Sequence, residues 1–127
     1  ASAIHSTPVD HSRKILDMAG DVDVIGIDEA QFFDDQIANV CDELAFRGIR
    51  VIVAGLDMDY LGNPFGQMPF IMAKADYVTK LHAICMQCGA PANRTQRLVH
   101  SADRVVIGGP HAYEARCRRC HSKEASQ

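Results

Sequence analysis

Four of the five cysteines fall into two C-x-x-C pairs, Cys85/Cys88 and Cys117/Cys120, with 28 residues between the pairs. No other feature restricts the possible folds as strongly. One C-x-x-C turn brings two thiolates together, and a second turn completes the tetrahedron of a four-cysteine zinc site. The gap exceeds the usual zinc-finger spacing, which predicts a loop or hairpin held at its base by the metal. Two disulfides are the first competing explanation, and they do not suit a chain without export signals. A redox pair is the second, and it accounts for only one of the two motifs. Four thiolates leave no open coordination position, so the metal is read as structural. His121 abuts Cys120 and is a possible substitute ligand. Cys41 lies on the apolar stripe Ile37, Val40, Cys41, Leu44, Ala45 of a helix and is expected in the core.

The 127 residues suffice for one domain or a small core with a satellite module. A hydrophobic content of 47% supports a buried core. The net charge of −3 counts against non-specific nucleic-acid binding as the main activity. The sequence lacks a run of about 18 apolar residues, so no transmembrane helix is expected. The opening residues ASAIHSTPVD do not read as a signal or transit peptide. The expected location is the cytoplasm.

Residues 2–5 read as a short strand. Asp10 is the expected N-cap of a helix reaching Ala19, with Gly20 ending it. Val22–Asp28 is nearly continuous in apolar residues, the pattern of a parallel strand buried on both faces. Asp34 or Asp35 is expected to cap a helix ending at Arg47-Gly48, and Ile49–Leu56 is a second strand, giving a βαβ unit. A loop over 57–66 leads to a short helix from Pro69 to Ala75. Tyr77–Ile84 is read as a strand entering the first cysteine pair, and Arg94–Val99 with Arg104–Ile107 as a hairpin. The expected organisation is an α/β core over 1–84, a zinc-held β module over 85–121 and a frayed tail over 122–127.

The run Val24-Ile25-Gly26-Ile27-Asp28-Glu29 is an apolar strand ending in two carboxylates. Open parallel sheets bind ligands at the carboxyl ends of their strands. The pattern is that of a Walker B strand, where one acid organises Mg2+ and the next acts as a base or positions the attacking group. A solvated strand end is the plainer alternative. The partner motif G-x-x-x-x-G-K-[ST] is absent, and neither Gly62–Gly66 nor Gly108-Gly109-Pro110 replaces it. That loop precedes Walker B, so the sequence reads either as an N-terminally incomplete P-loop NTPase-like core of a kinase or as a chain that is not a phosphoryl-transfer enzyme. Alone it is expected to be inactive.

The run Asp28-Glu29-Ala30-Gln31-Phe32-Phe33 resembles the D-E-x-Q-F-F segment of the type II thymidine kinases, which combine a P-loop with a zinc lasso. The resemblance continues through Ala54–Tyr60, Asn63–Gly66, Ala83–Cys88, Thr95–Leu98 and Ile107–Cys120. It implies transfer of the ATP γ-phosphoryl group to the 5′-hydroxyl of thymidine or deoxyuridine. Glu29 is then the general base and Asp28 the acid that organises Mg2+ with ATP. Phe32, Leu56, Tyr60 and Phe65 match residues enclosing the thymine ring. Thr95, Val106 and Gly108 match positions presenting backbone groups to the nucleoside, with Tyr113 beside them. Cys85, Cys88, Cys117 and Cys120 match the structural Zn2+ ligands. The resemblance also implies a homotetramer, and feedback by a nucleotide such as dTTP is compatible with it.

Two other readings compete. A zinc ribbon could bind nucleic acid through Arg94, Arg97, Arg104, Arg116, Arg118 and Arg119, although a solvated charged face explains these residues as well. An ATPase or helicase fragment is suggested by Asp28–Gln31, but such a motor requires a second lobe. No membrane or nucleic-acid partner is expected, and His5, His82 and His111 receive no role.

Overall fold

The structure, a computed structural model, describes residues 5–99 and 112–122. By compactness the chain divides into two units, residues 1–56 with 66–75 and residues 57–65 with 76–127.

The first unit is built on β1 (Val24–Ile27) and β2 (Arg50–Val53), which pair in parallel with Val24 opposite Arg50 and Ile27 opposite Val53. Helix α2 (Ile37–Phe46) forms the connection. Its end follows the Schellman pattern: Gly48 N donates to Ala45 O at 2.9 Å and Ile49 N to Leu44 O at 3.2 Å. Gly48 adopts φ +88°, so the turn into β2 uses glycine's freedom. Ile49 and Leu44 are buried in one cluster with Val40, Leu16 and Ala19. A second cluster joins Ile27, Ala30, Ile37 and Ala38 to Met68 and Ile71 of α3 (Met68–Lys74).

Three expectations for this unit change. The strands are not buried on both faces: Ile25, Ile27, Val51 and Val53 pack against the helices, whereas Val24 and Ile52 remain about half exposed. Alternating residues point to opposite faces, and α1 (Lys14–Met18), α2 and α3 contribute to only one of the two. Asp10 does not cap α1, whose N-cap is Arg13; Asp10 instead pairs with Lys14 Nζ at 2.6 Å, one helical turn on. Asp34 serves α2 from just outside the helix, accepting the Gln36 N–H at 2.9 Å, while Gln36 occupies the N-cap.

The second unit has little regular structure among the described residues. The expected strand over 77–84 shortens to β3 (Ala83–Ile84), which pairs antiparallel with β4 (Pro91–Ala92) across the first cysteine turn. Residues 76–82 are exposed and unladdered, with Asp76, Lys80 and His82 interrupting the apolar pattern. β5 (Arg94–Arg97) pairs antiparallel with β6 (Tyr113–Arg116), a strand that the sequence reading left unassigned. The expected strands at 2–5 and 104–107, and the tail beyond 122, lie wholly or mainly outside the described residues.

Candidate active-site turn and metal centre

In the first unit β1 ends at Ile27, and Asp28 and Glu29 follow it directly. Ala54 N donates to Ile27 O at 2.9 Å and Ala30 N to Ala54 O at 3.1 Å, so the parallel pairing extends past both acids. Between those two bonds the chain turns through Glu29, whose φ of 52° and ψ of 42° are left-handed. Glu29 is the only non-glycine with positive φ among the described residues. Such a backbone costs an L-residue about 1–2 kcal/mol. Both carboxylates are exposed, and Asp28 Oδ1 accepts the Glu29 N–H at 2.8 Å. A short 3-10 turn (Ala30–Phe32) follows.

Gln31, in that turn, is 3% exposed. Its Nε2 donates to Glu29 Oε2 at 2.7 Å, and its Oε1 accepts the Leu56 N–H at 3.1 Å. Sequence reasoning gave Gln31 no role, although it stands inside the D-E-x-Q run. Phe32 is 58% and Leu56 48% exposed, so neither is an ordinary core residue.

In the second unit, residues 57–65 form a tight turn organised by Asp59, itself 3% exposed. Its Oδ1 accepts the N–H groups of Leu61 at 2.9 Å and Asn63 at 3.0 Å. Phe65 N donates to Asp57 O at 3.0 Å and closes the turn. Tyr60 has the Arg97 guanidinium 4.0 Å from its ring centre, a cation–π contact. The Tyr60 carbonyl lies 2.6 Å from His121 Nε2. A carbonyl only accepts, so Nε2 carries the proton. Tyr60, Phe65, Thr95 and Tyr113 are all partly buried. Val106 and Gly108 lie outside the described residues.

The four cysteines converge. Their Sγ atoms all lie within 4.8 Å of one another, and no disulfide joins them. Cys88 Sγ and Cys117 Sγ are 3.7 Å apart, which is the edge of a tetrahedron with Zn–S bonds of about 2.3 Å. Burial opposes ionisation of Cys85, yet the backbone N–H groups of Cys117, Cys88 and Gln87 draw its thiol down to about 6. Cys117 shifts down as well, chiefly through the backbone N–H of Cys120. Cys120 is pushed up to about 12, chiefly by its thiol contacts with Cys117 and Cys88. The donor set and spacing fit a structural zinc ion, and neighbouring thiolates without a cation do not all ionise. Cys41 packs beside the first unit's core, where burial raises its thiol to about 11.

The arginines only partly form a solvated face. Arg97 is 2% and Arg116 7% exposed. Arg116 Nε donates to Glu114 Oε1 at 2.6 Å and Nη1 to Cys120 O at 3.3 Å, which ties it to the second cysteine turn. Arg118 and Arg119 are exposed.

A family model described as thymidine kinase matches residues 2–121. A thymidine kinase from Rhodothermus sp. (strain ITI 518) is 59% identical over 119 residues, covering 94% of this chain and 56% of that protein. The thymidine kinase of Bacteroides thetaiotaomicron is 53% identical over 119 residues, again 94% of this chain and 60% of its own length. One from Bacteroides fragilis is 49% identical over 123 residues, 97% of this chain and 62% of that protein. The chain therefore spans about three-fifths of the length of these curated relatives.

Proposed function

The chain belongs to the thymidine kinase family, and from that premise we propose that it carries the phosphoryl-acceptor part of an enzyme transferring the ATP γ-phosphoryl group to thymidine or deoxyuridine. The observation that carries the reading is the Asp28-Glu29 pair at the carboxyl end of a parallel strand, turned into solvent by a left-handed residue. This is where a P-loop NTPase-like core places its phosphoryl chemistry. Left-handed backbone at a non-glycine position is characteristic of sites where function outweighs local strain.

In the proposed reaction Glu29 accepts the proton of the nucleoside 5′-hydroxyl as that oxygen attacks the γ-phosphorus. The bond from phosphorus to the bridging oxygen breaks, and ADP leaves with the electron pair. Asp28 offers the hard oxygen donor suited to Mg2+, which when bound neutralises charge on the β- and γ-phosphates. Phe32, Leu56, Tyr60 and Phe65 supply apolar surface for a flat pyrimidine. Thr95, Val106, Gly108 and Tyr113 read its edge and the sugar. Cys85, Cys88, Cys117 and Cys120 hold a structural zinc that anchors the ends of the intervening loop.

The burial of Arg97 and Arg116 supports this reading over a nucleic-acid-binding ribbon, since two of the arginines that such a ribbon would use are engaged within the fold. Homotetramer assembly, feedback by a nucleotide such as dTTP and a cytoplasmic location belong to the same proposal. Among the described residues, no helix is long and apolar enough to cross a membrane.

The test is thymidine phosphorylation by the full-length gene product with Mg-ATP, beside a Glu29→Gln variant. Thymidine monophosphate from the wild type, with at least a 100-fold loss in the variant, is the expected result for a general base. Equal turnover in the two would remove Glu29 from the role, and no product from either would remove the thymidine kinase reading.

A further inference from the structure

We propose that Gln31 is the positioning residue of the phosphoryl-transfer base: one buried amide fixes the Glu29 carboxylate and ties it to the backbone of Leu56. The inference rests on the reading of Glu29 as the base and deepens it.

The network fixes the orientation of the amide. Leu56 N is a donor, so the atom facing it must be the acceptor Oε1; Nε2 is then directed at Glu29 Oε2, 2.7 Å away. A bond to a carboxylate is charge-assisted and stronger than a neutral one. It occupies Oε2 on one side and leaves Oε1 as the oxygen for an incoming hydroxyl proton. Without it, an exposed glutamate would sample several rotamers, and the geometry demanded of a general base would be populated only part of the time.

The surroundings are shaped around this side chain. At Gly55 a Cβ would stand 2.8 Å from Gln31 Oε1 and 2.8 Å from Met68 Sδ. At Gly66, with φ +52°, a Cβ would collide with the Gln31 carbonyl oxygen. Two glycines thus allow backbone to close on Gln31, and Met68 fills the space beside it. The same amide fixes the backbone of Leu56, one of the expected walls of the nucleoside pocket. Base and pocket wall therefore share one anchor, and the left-handed turn at Glu29 is pinned from its side-chain end as well as by the Ala30–Ala54 backbone bond.

The experiment uses Gln31→Glu and Gln31→Met in the full-length gene product, with Glu29→Gln as reference. Gln31→Glu keeps an acceptor for Leu56 N but replaces the donor with a second carboxylate beside Glu29, on a turn that already carries Asp28. Adjacent carboxylates resist joint ionisation, so the acid limb of kcat against pH should move upward by about one unit or more. Gln31→Met keeps the volume and removes both bonds. In each variant kcat should fall about 10- to 100-fold while the thymidine KM changes less than about threefold, a fraction of the full effect of a general base.

A readout that needs no stable Gln31 variant is the side-chain amide resonance of Gln31 in the wild-type protein. It should titrate with the acid limb of activity, and in Glu29→Gln that titration should vanish. An amide shift insensitive to pH, or a folded Gln31 variant with wild-type kcat and pH limb, would overturn the proposal while leaving Glu29 as the base. Full activity in Glu29→Gln would instead overturn the reading beneath it.

Discussion

Ser12 Oγ donates to Asp34 Oδ1 at 2.6 Å, and Ser12 N donates to Asp34 Oδ2 at 2.7 Å, so one carboxylate takes both donors of a residue 22 positions earlier. Ser12 is fully buried, and Asp34 Oδ1 also accepts the Gln36 N–H that opens α2. The segment before α1 is thereby fastened to the start of α2 by hydrogen bonds to a single carboxylate.

The consequence for stability is specific. Partial burial alone would raise the Asp34 carboxyl, but the bonds from Ser12 and Gln36 and the nearby His11 bring it from 3.8 down to about 2. A carboxylate whose pKa is lowered by folding contributes stability above its unfolded value and loses it as protons bind. The contribution should be complete above about pH 5 and lost progressively as pH falls through 3.8 toward 2. Ser12→Ala should cost about 1–3 kcal/mol at pH 7, as expected for losing a bond to a charged acceptor. Urea melts at pH 7 and pH 3 check this: the gap between wild type and variant should narrow at the lower pH.

This anchor also marks where the sequence stopped being legible. The nearly continuous apolar run through Val24–Ile27 and the β-branched run through Arg50–Val53 announced two strands, and the stripe Ile37, Val40, Leu44 announced the helix between them, because each signal is local. The four cysteines announced their cluster although the pairs lie far apart, because two C-x-x-C turns together supply one tetrahedral ligand set. Asp34 was legible as a helix-start residue but not as the partner of Ser12, since nothing local links positions 22 apart. Gln31 was hidden in a similar way: its role depends on Leu56 N, which only the fold brings near. β6 went unseen because Tyr113-Glu114-Ala115-Arg116 carries weak strand propensity and is held by its pairing with β5 and by the cysteine turns.

Gly66 and Gly20 make a controlled pair. Both have positive φ, +52° and +54°, but a Cβ at Gly20 meets nothing within 4 Å, whereas one at Gly66 collides with the Gln31 carbonyl. Gly20→Ala should therefore show the conformational cost alone, about 1–2 kcal/mol. Gly66→Ala should lose more than that, because backbone must shift as well. If the two variants melt at the same denaturant concentration, the close approach of residue 66 to Gln31 is not present in solution.

Metal removal should act unevenly. Among its described residues the cysteine-bearing unit has Cys85, Ala92 and Cys117 as its buried cluster, little apolar surface with which to hold β3–β6 without the ion. The purified protein should carry one equivalent of zinc per chain by elemental analysis, and Cys85→Ala should lose it. On chelation, amides of 83–97 and 113–121 should exchange faster, while those of Val40 and Leu44, fully buried in α2, should stay protected. Uniform loss of protection across both regions would show that the ion supports the whole fold rather than this unit.

His121 offers the last and most discriminating test, because it stands next to Cys120, a proposed zinc ligand, yet directs its proton at Tyr60 O, 2.6 Å away. The sequence left it as a possible substitute ligand; its bond to the turn over 57–65 gives it different work. His121→Ala should keep the full equivalent of zinc, since four thiolates remain. It should free one end of the turn that presents Tyr60, whose ring stays under the Arg97 guanidinium. Amide exchange at 59–63 should rise, and the thymidine KM should rise about 3- to 30-fold with kcat nearly unchanged, the split expected when ground-state and transition-state binding weaken together. A His121→Gln variant, which keeps a side-chain donor, should recover part of the loss. Zinc loss in His121→Ala would return the residue to the metal site, and a fall in kcat at constant KM would show that the turn serves the chemical step instead of binding.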